Sequence, residues 1–374
     1  MIMPKRVLVQ GTGLIGTSVA LALRDKGTEV WLSDADPATA RLAADLGAGT
    51  VIADLRDAKG IADIALLAMP PAVVGRQLAH AQDCAVADVY TDVASVKVLP
   101  ARHARELGCD LETYVPAHPL AGRERHGPAA AQADLFLGRT WALCPLPETA
   151  SDAVDAVTAL AVACGADPVV TDPETHDRWV ALVSHAPHLV AVAMAARLAP
   201  SSVPADALKL AGQGLRDVTR IAAGDSSLWT QILAANAGPV AEVVAAVAED
   251  LAAVARLLGG LPAGTTAAVP PTTGTSTAGV TSLLDRGREG AGRIPGKHGG
   301  KPRNFTVVQV VLADRPGELA RLFNAAGAAG VNIEDIRLEH SPGLPVGVAE
   351  LSVRPDQAGR LLDAMEAGGW PVRR

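Results

Sequence analysis

Over roughly the first 171 residues, short apolar runs alternate with stretches that carry apolar residues every three or four positions. That alternation predicts strands threaded between helices, the layout of a parallel sheet covered on both faces. Arg6 to Val9, Glu29 to Ser33, Asp63 to Met69, Val86 to Asp92, a strand through Tyr114 to His118, Thr140 to Cys144 and Pro168 to Thr171 read as strands. Asp63 to Met69 is apolar almost throughout, as a strand buried on both faces should be. Beyond residue 171 the strand signal stops. Glu174 to Leu198, Ala205 to Leu210, Ser226 to Ala237 and Val240 to Leu258 show helical spacing with many alanines, which predicts an all-α region of closely packed helices. Leu261 to Thr277 is rich in Pro, Thr and Gly, a short apolar helix is expected near Val280 to Leu284, and Arg286 to Asn304 is Gly-rich and basic, as in a linker. From Phe305 the pattern runs strand, helix, strand, strand, helix, strand, which is a ferredoxin-like module. The expected domains are 1–171, 172–288 and 304–374, with 289–303 as linker.

One junction in the first region carries chemistry. Gly11-Thr12-Gly13-Leu14-Ile15-Gly16 falls between the strand ending near Val9 and the helix Leu14 to Arg24. A G-x-G-x-x-G in that setting is a dinucleotide-binding fingerprint of the Rossmann fold. Gly11 serves the tight turn, Gly13 lets backbone approach a pyrophosphate, and Gly16 lets helix pack on strand. The N–H groups at Leu14 and Ile15 then face the anion. Asp34 stands about eighteen residues past Gly16, where an acid accepts the adenosine ribose hydroxyls, although it could instead cap a turn. Asp36, followed by Pro37, reads as the cap of the next helix. No Arg or Lys follows Asp34 before Arg41, so NAD is favoured over NADP.

Further candidates cluster at the carboxyl ends of the predicted strands. Met69 and Pro70 end one strand beside the expected cofactor. Ser95, in Asp92-Val93-Ala94-Ser95-Val96-Lys97, is either a helix cap or a site residue. His118 lies between Pro116 and Pro119, placed to take a proton from a hydroxyl as hydride leaves the same carbon, or to serve as a structural histidine. His185 and His188 share a helix face without a partner at metal-ligand spacing, so no metal is expected. Arg220 follows a Gly-rich turn and could fork a carboxylate, or pair with Asp217 on a solvated face.

Composition narrows the class. The formal net charge is -7 with only one short basic stretch, which argues against nucleic acid. Four dispersed cysteines without metal spacing suggest a reducing, cytoplasmic setting. No run of eighteen uncharged apolar residues appears, and the first strand follows Met1 closely, so neither a membrane span nor a leader is expected.

The Gly11 to Gly16 turn, the Ser95-Val96-Lys97 loop, His118 to Glu124, Ser184-His185-Ala186-Pro187-His188 and Gly212 to Ala222 together resemble the prephenate dehydrogenase family of tyrosine biosynthesis. The resemblance implies NAD-dependent oxidative decarboxylation of prephenate to 4-hydroxyphenylpyruvate. It casts His118 as proton acceptor, Ser95 as its hydrogen-bonding neighbour at the hydroxyl, and Arg220, His188, Lys97, Gly122 and Glu124 as substrate contacts. Arg123 stands where relatives often carry a small hydroxyl residue. Arogenate is the alternative substrate, and a non-catalytic nicotinamide-binding regulator the alternative class. The C-terminal pattern resembles ACT domains, which implies an amino acid, tyrosine, bound near Asp314, Pro316, Gly317 and Asn332 as a feedback inhibitor. The Ala-rich helical region implies a homodimer.

Overall fold

The computed structural model describes residues 3–122, 126–200, 203–260, 278–294, 305–340 and 345–373. They form two compact units, Met1–Glu249 and Asp250–Arg374.

In the first unit, β1 (Arg6–Gln10), β2 (Glu29–Ser33), β3 (Thr50–Val51), β4 (Ala62–Leu67), β5 (Ala87–Asp92) and β6 (Tyr114–Val115) make one sheet in the order β3-β2-β1-β4-β5-β6. Every pairing is parallel. The order reverses between β1 and β4, and that reversal opens the crevice in which such sheets hold a dinucleotide. Strand alternation sends Val7 and Val9 into a core with Val19 and Leu23 of α1 (Leu14–Arg24), while Leu8 faces Val74 and Leu78 of α3 (Pro71–Asp83). Between them, α2 spans Pro37–Asp45, and α4 (Val98–Glu106) follows β5.

The strand expected to run through His118 is two strands. Pro116 offers no N–H for a ladder, so the chain leaves the large sheet after Val115. It then enters a second sheet made of β7 (Ala117–Pro119), β8 (Thr140–Leu143) and β9 (Asp167–Val170), with α5 (Ser151–Ala163) before β9. His118 sits opposite Ala142 in that sheet.

The predicted helix from Glu174 to Leu198 is likewise interrupted. It runs as α6 (Pro173–Val180), a π turn at Ala181–His185 and α7 (Ala186–Ala196). Pro187 explains the break: it has no N–H, and its ring would strike the carbonyl four residues back, so the turn before it widens. The Asp177 carbonyl, which accepts from the Ala181 N–H, also accepts a hydrogen bond from the Asn236 side-chain amide at 2.8 Å. By length and a mean hydropathy of 1.5 the 24-residue helix Pro173–Ala196 could cross a membrane. Glu174, Asp177 and Arg178 lie in its first turns, and its buried face holds polar contacts described below. The unit closes with α8 (Ala205–Leu208), α9 (Gln213–Thr219), a 3-10 turn at Arg220–Ala223, α10 (Ser226–Ala235) and most of α11 (Ala237–Gly259). Nucleotide-binding and helical regions thus cluster as one body, although their sequence patterns differ.

In the second unit, α12 (Ala278–Gly292) is longer than the short helix expected. Arg286 pairs with Asp250 at 2.7 Å and Arg288 with Asp285 at 3.1 Å, so the first part of the basic stretch is helical rather than linker. The module that follows comprises β10 (Thr306–Ala313), α13 (Glu318–Ala328), β11 (Asp335–His340), β12 (Val346–Val353), α14 (Ala358–Ala367) and β13 (Val372–Arg373). Its sheet order, β11-β12-β10-β13 with antiparallel pairings, is ferredoxin-like. Val310, Leu351, Leu322, Leu361 and Met365 fill its core. α13 starts without a side-chain cap. The N-cap is Gly317 in the left-handed region at φ 86°, and Pro316 precedes it, outside the helix.

Candidate functional site

The glycine turn has the form its sequence suggests. Gly11 is left-handed at φ 92°, and a side chain there would collide with the Ala68 backbone. Gly16 lies against the Gly11 carbonyl, Val9 and Ala68, which leaves no space for a Cβ, whereas Gly13 faces open space. Gly13 caps α1 without a side-chain bond, so the N–H groups of Leu14 and Ile15 point into that opening, as an anion requires. Asp34 is held in place by Thr12, whose backbone N–H and hydroxyl donate to one carboxylate oxygen at 2.6 and 3.0 Å. Asp36 is the cap of α2, accepting from the Ala38 N–H. Asp34, Met69 and Pro70 line a cavity of about 720 Å³ on the adenosine side of the crevice. The open cradle at Gly13 and the held acid both fit a dinucleotide.

A buried polar network begins at the end of β5. The Lys97 ammonium, with no exposed surface, donates to Asp92 and to the Ala117 carbonyl, each at 2.5 Å. Asp92 also accepts from the Tyr114 hydroxyl at 2.7 Å and from the Ala94 N–H. Burial beside Asp92 raises the Tyr114 phenol far above its ordinary value, so it stays a donor. Lys97 therefore does not reach a substrate; it ties the carboxyl end of β5 to the residue before His118. Ser95, half-buried, is not a cap, because the cap of α4 is Lys97.

The other half of the network comes from α6. The Asp177 carboxylate accepts from the N–H groups of Lys97 and Val98 at 2.8 and 3.0 Å, taking the capping place at the start of α4. The same carboxylate meets His176 Nδ1 at 2.8 Å, and His176 Nε2 lies 3.0 Å from His118 Nδ1. A carboxylate can only accept, so His176 carries its proton on Nδ1 and offers Nε2 as acceptor. His118 must then donate from Nδ1, which leaves its Nε2 lone pair free. Burial, followed by the neighbouring His176 and Lys97, drives the His118 pKa well below the ordinary imidazole value.

Asn236 continues the chain, its amide lying 3.1 Å from His185 Nδ1. Burial lowers the His185 pKa to about 4. Trp229 joins His185 edge-on to His188, whose ring stacks on it at 3.5 Å with planes 5° apart. A Cβ on Gly224 would meet Trp229 Nε1 at 2.5 Å, so glycine is required beneath this stack. Burial lowers the His188 pKa against a hydrogen bond with the Ile221 backbone. Ile221 follows Arg220, the first residue of the 3-10 turn packed on α7, and Arg220 itself is exposed. Packing thus links His118, His185, His188 and the turn bearing Arg220. Gly122 is exposed at the edge of the described residues, and Glu124, with Arg123, lies outside them.

Sequence reasoning missed His176, Asp177, Asn236, Trp229, Asp92 and Tyr114. A signal existed in the adjacent His176-Asp177 pair opening an otherwise apolar helix.

A reversed parallel sheet with an open glycine turn beside a held carboxylate, joined to a buried histidine chain, has the form of a dinucleotide-dependent oxidoreductase. Comparison with known proteins narrows the class. The chain matches the family model for the prephenate dehydrogenase nucleotide-binding domain over residues 19–170 and that for the prephenate dehydrogenase dimerization domain over 172–260. It is 38% identical over 370 residues to a Streptomyces niveus protein named "Probable prephenate dehydrogenase NovF", covering 98% of this chain and 99% of the relative. It is 31% identical over 242 residues to the prephenate dehydrogenase of Bacillus subtilis, covering 63% of this chain and 65% of that one. A solved prephenate dehydrogenase from A. aeolicus, in complex with hydroxyphenyl propionate and NAD+, superposes with a TM-score of 0.65 at 25% identity, covering 78% of this chain and 97% of the other. The chain belongs to the prephenate dehydrogenase family.

Proposed function

We propose that this chain oxidatively decarboxylates prephenate to 4-hydroxyphenylpyruvate. The observation that carries the reading is the Asp177–His176–His118 chain, which leaves a neutral imidazole nitrogen free on β7. Bound NAD supplies the acceptor for the hydride that leaves the hydroxyl-bearing ring carbon. His118 Nε2 takes the hydroxyl proton, and Ser95 hydrogen-bonds that hydroxyl or His118. As the ring carboxylate departs as carbon dioxide, its bonding pair enters the ring and completes the aromatic system, and the proton held on His118 Nε2 returns to the phenolate oxygen of the product. Arg220 grips a substrate carboxylate with His188 beside it, and Gly122 and Glu124 border the substrate. Lys97, through Asp92 and the Ala117 carbonyl, fixes the strand that presents His118. Aromatisation supplies most of the driving force, and the protein contributes position and proton removal.

Two copies are expected to assemble through the helical region, where Trp179, Leu182 and Val183 are exposed on one stretch of helix. The C-terminal module is read as an ACT domain. A cavity of about 400 Å³ there is lined by Asp314, Pro316 and Gly317, next to the start of α13, and suits an amino acid such as tyrosine. Asn332, the fourth residue of that reading, donates to Glu334 at 3.0 Å. Following NADH absorbance with NAD and prephenate, then with NAD and arogenate, tests the assignment. Rapid reduction with prephenate is expected, a preference for arogenate would shift the substrate, and no reduction with either would remove the enzymatic role.

A further inference from the structure

Asn236, 3% exposed, sits between α10 and α11 and turns its side-chain amide toward the buried polar chain. One amide nitrogen meets two partners, the Asp177 carbonyl at 2.8 Å and His185 Nδ1 at 3.1 Å. A carbonyl oxygen can only accept, so the group facing it is the NH2 end of the amide, and an NH2 has no lone pair to offer His185. His185 Nδ1 is therefore the acceptor. The ring, kept neutral by burial that lowers its pKa to about 4, carries its single proton on Nε2. Among the described residues, the enclosed side-chain nitrogens and oxygens without a partner belong to Gln10, Trp141 and Gln357. His185 Nε2 has no hydrogen-bond partner and is not one of them, so it reaches accessible space even though the residue is 2% exposed.

The neighbours of this ring are those of the site. Trp229 stands edge-on to His185 and carries His188 stacked on its face, beside the turn that bears Arg220. His118 is near enough for a charge on His185 to lower its pKa. Two imidazoles of opposite polarity thus stand close together: His118, set by His176, offers a lone pair, and His185, set by Asn236, offers an N–H. A neutral donor adds no charge beside the base. It also suits a carboxylate that must depart as carbon dioxide, since a cation gripping that group before reaction opposes its loss of charge. Resting on the reading of His118 as the base that acts on prephenate, we infer that His185 donates its Nε2–H to a carboxylate oxygen of the substrate and that Asn236 is the positioning residue that keeps the proton on that nitrogen.

Long-range proton–nitrogen NMR of the full chain, labelled at its histidine nitrogens and with His185→Gln to assign the ring, reads the tautomer directly. The wild type should show His185 protonated on Nε2 and bare on Nδ1. In Asn236→Asp the new carboxylate can only accept, so Nδ1 should become protonated. A wild-type ring protonated on Nδ1, or an aspartate variant whose Nδ1 stays bare, would overturn the role of Asn236, and the wild-type spectrum carries this test if the aspartate variant does not fold. Kinetics test the contact. His185→Phe keeps a ring against Trp229 and loses the donor, whereas His185→Gln loses the ring and keeps an N–H at about the reach of Nε2. Donation should raise the KM for prephenate about 10- to 100-fold in the phenylalanine variant, the effect of one hydrogen bond to a charged group, and much less in the glutamine variant. Inhibition by 4-hydroxyphenylpyruvate, which lacks the ring carboxylate, should stay unchanged where that carboxylate is the partner and weaken equally where the side-chain carboxylate is. A phenylalanine variant with the wild-type KM, or with a lower KM than the glutamine variant, would overturn the contact and leave the ring as packing. A wild type that does not oxidise prephenate would overturn the proposed reaction and the contact with it, a failure that the tautomer spectrum does not share.

Discussion

The two units bury polar groups in opposite ways. In Met1–Glu249 the interior holds Gln10, Asp92, Lys97, His176, Asp177, His185, His188 and Asn236, whereas among the described residues of Asp250–Arg374 Glu318 is the only polar residue buried as a whole, and Gln357 adds a single buried oxygen without a partner. Glu318 is fully engaged, accepting from Arg315 at 2.9 Å, Arg321 at 3.2 Å and the Trp370 indole at 2.7 Å. That arrangement fastens α13 to the end of the module and leaves nothing to react. The interior of the first unit ends instead on open valences: the free Nε2 of His118 and the unpaired amide of Gln10. Burying polar groups opposes folding unless they are paired, so a run of them marks the unit where chemistry is done, and one satisfied acid marks a scaffold.

That contrast breaks most sharply at His118. His118→Asn should lower turnover by roughly 10² to 10⁴, the usual range for a lost general base, with little change in NAD affinity. Steady-state rates and a cofactor titration check both halves, and an undiminished rate would return His118 to a structural role. Arg220→Ala is next in size. If bound substrate covers the pair, truncating one partner of a buried charged pair typically removes about 2 to 5 kcal/mol, expressed here as a higher KM for substrate with cofactor binding intact. Equal KM values in the two proteins would count against a carboxylate clamp.

The second unit predicts a different kind of loss. A chain ending near Gly260 should keep dehydrogenase activity and lose most of its sensitivity to tyrosine. A typical coupling between distant sites would make that sensitivity a 5- to 150-fold effect, about 1 to 3 kcal/mol, in the full chain. Undiminished inhibition after truncation would place tyrosine in the first unit, at the Arg220 site. The smallest effect belongs to Asp34→Ser, which should narrow the preference for NAD over NADP by removing a carboxylate that repels a 2′-phosphate. Kinetics with both cofactors check it, and wild-type indifference between them would remove Asp34 from that role.

Legibility in the sequence followed the range of the interactions. Gly11, Gly13 and Gly16 were readable because the turn, the cradle and the helix contact they serve are all local. So was Asp36, whose cap lies two residues away. His118 was readable as a candidate from its flanking prolines, yet its strand was misassigned, since whether the chain continues past Pro116 depends on where Cys144 and Ala142 arrive from far along the chain. The resemblance alone puts Lys97 at the substrate. Only the packed structure brings Asp92 and the Ala117 carbonyl to it. His176 and Asp177 read as the polar start of an amphipathic helix, and what makes them functional is the N-terminus of α4, 79 residues back in the chain. The π turn has a local cause in Pro187, whereas the engagement of Asn236 with the Asp177 carbonyl has none.

The central claim is that the Asp177–His176 chain holds His118 as a neutral base with Nε2 free. Since the base must be unprotonated to act, and burial beside His176 and Lys97 lowers its pKa, activity should persist to acid pH and fall only as His118 takes up a proton. The pH dependence of kcat/KM reports the groups of the free enzyme and is the direct measurement. It should show an acid limb centred well below about 6.5, the ordinary imidazole value, and that limb should vanish in His118→Asn. A limb centred at or above that value, or one that survives unchanged in the asparagine variant, would contradict the assignment.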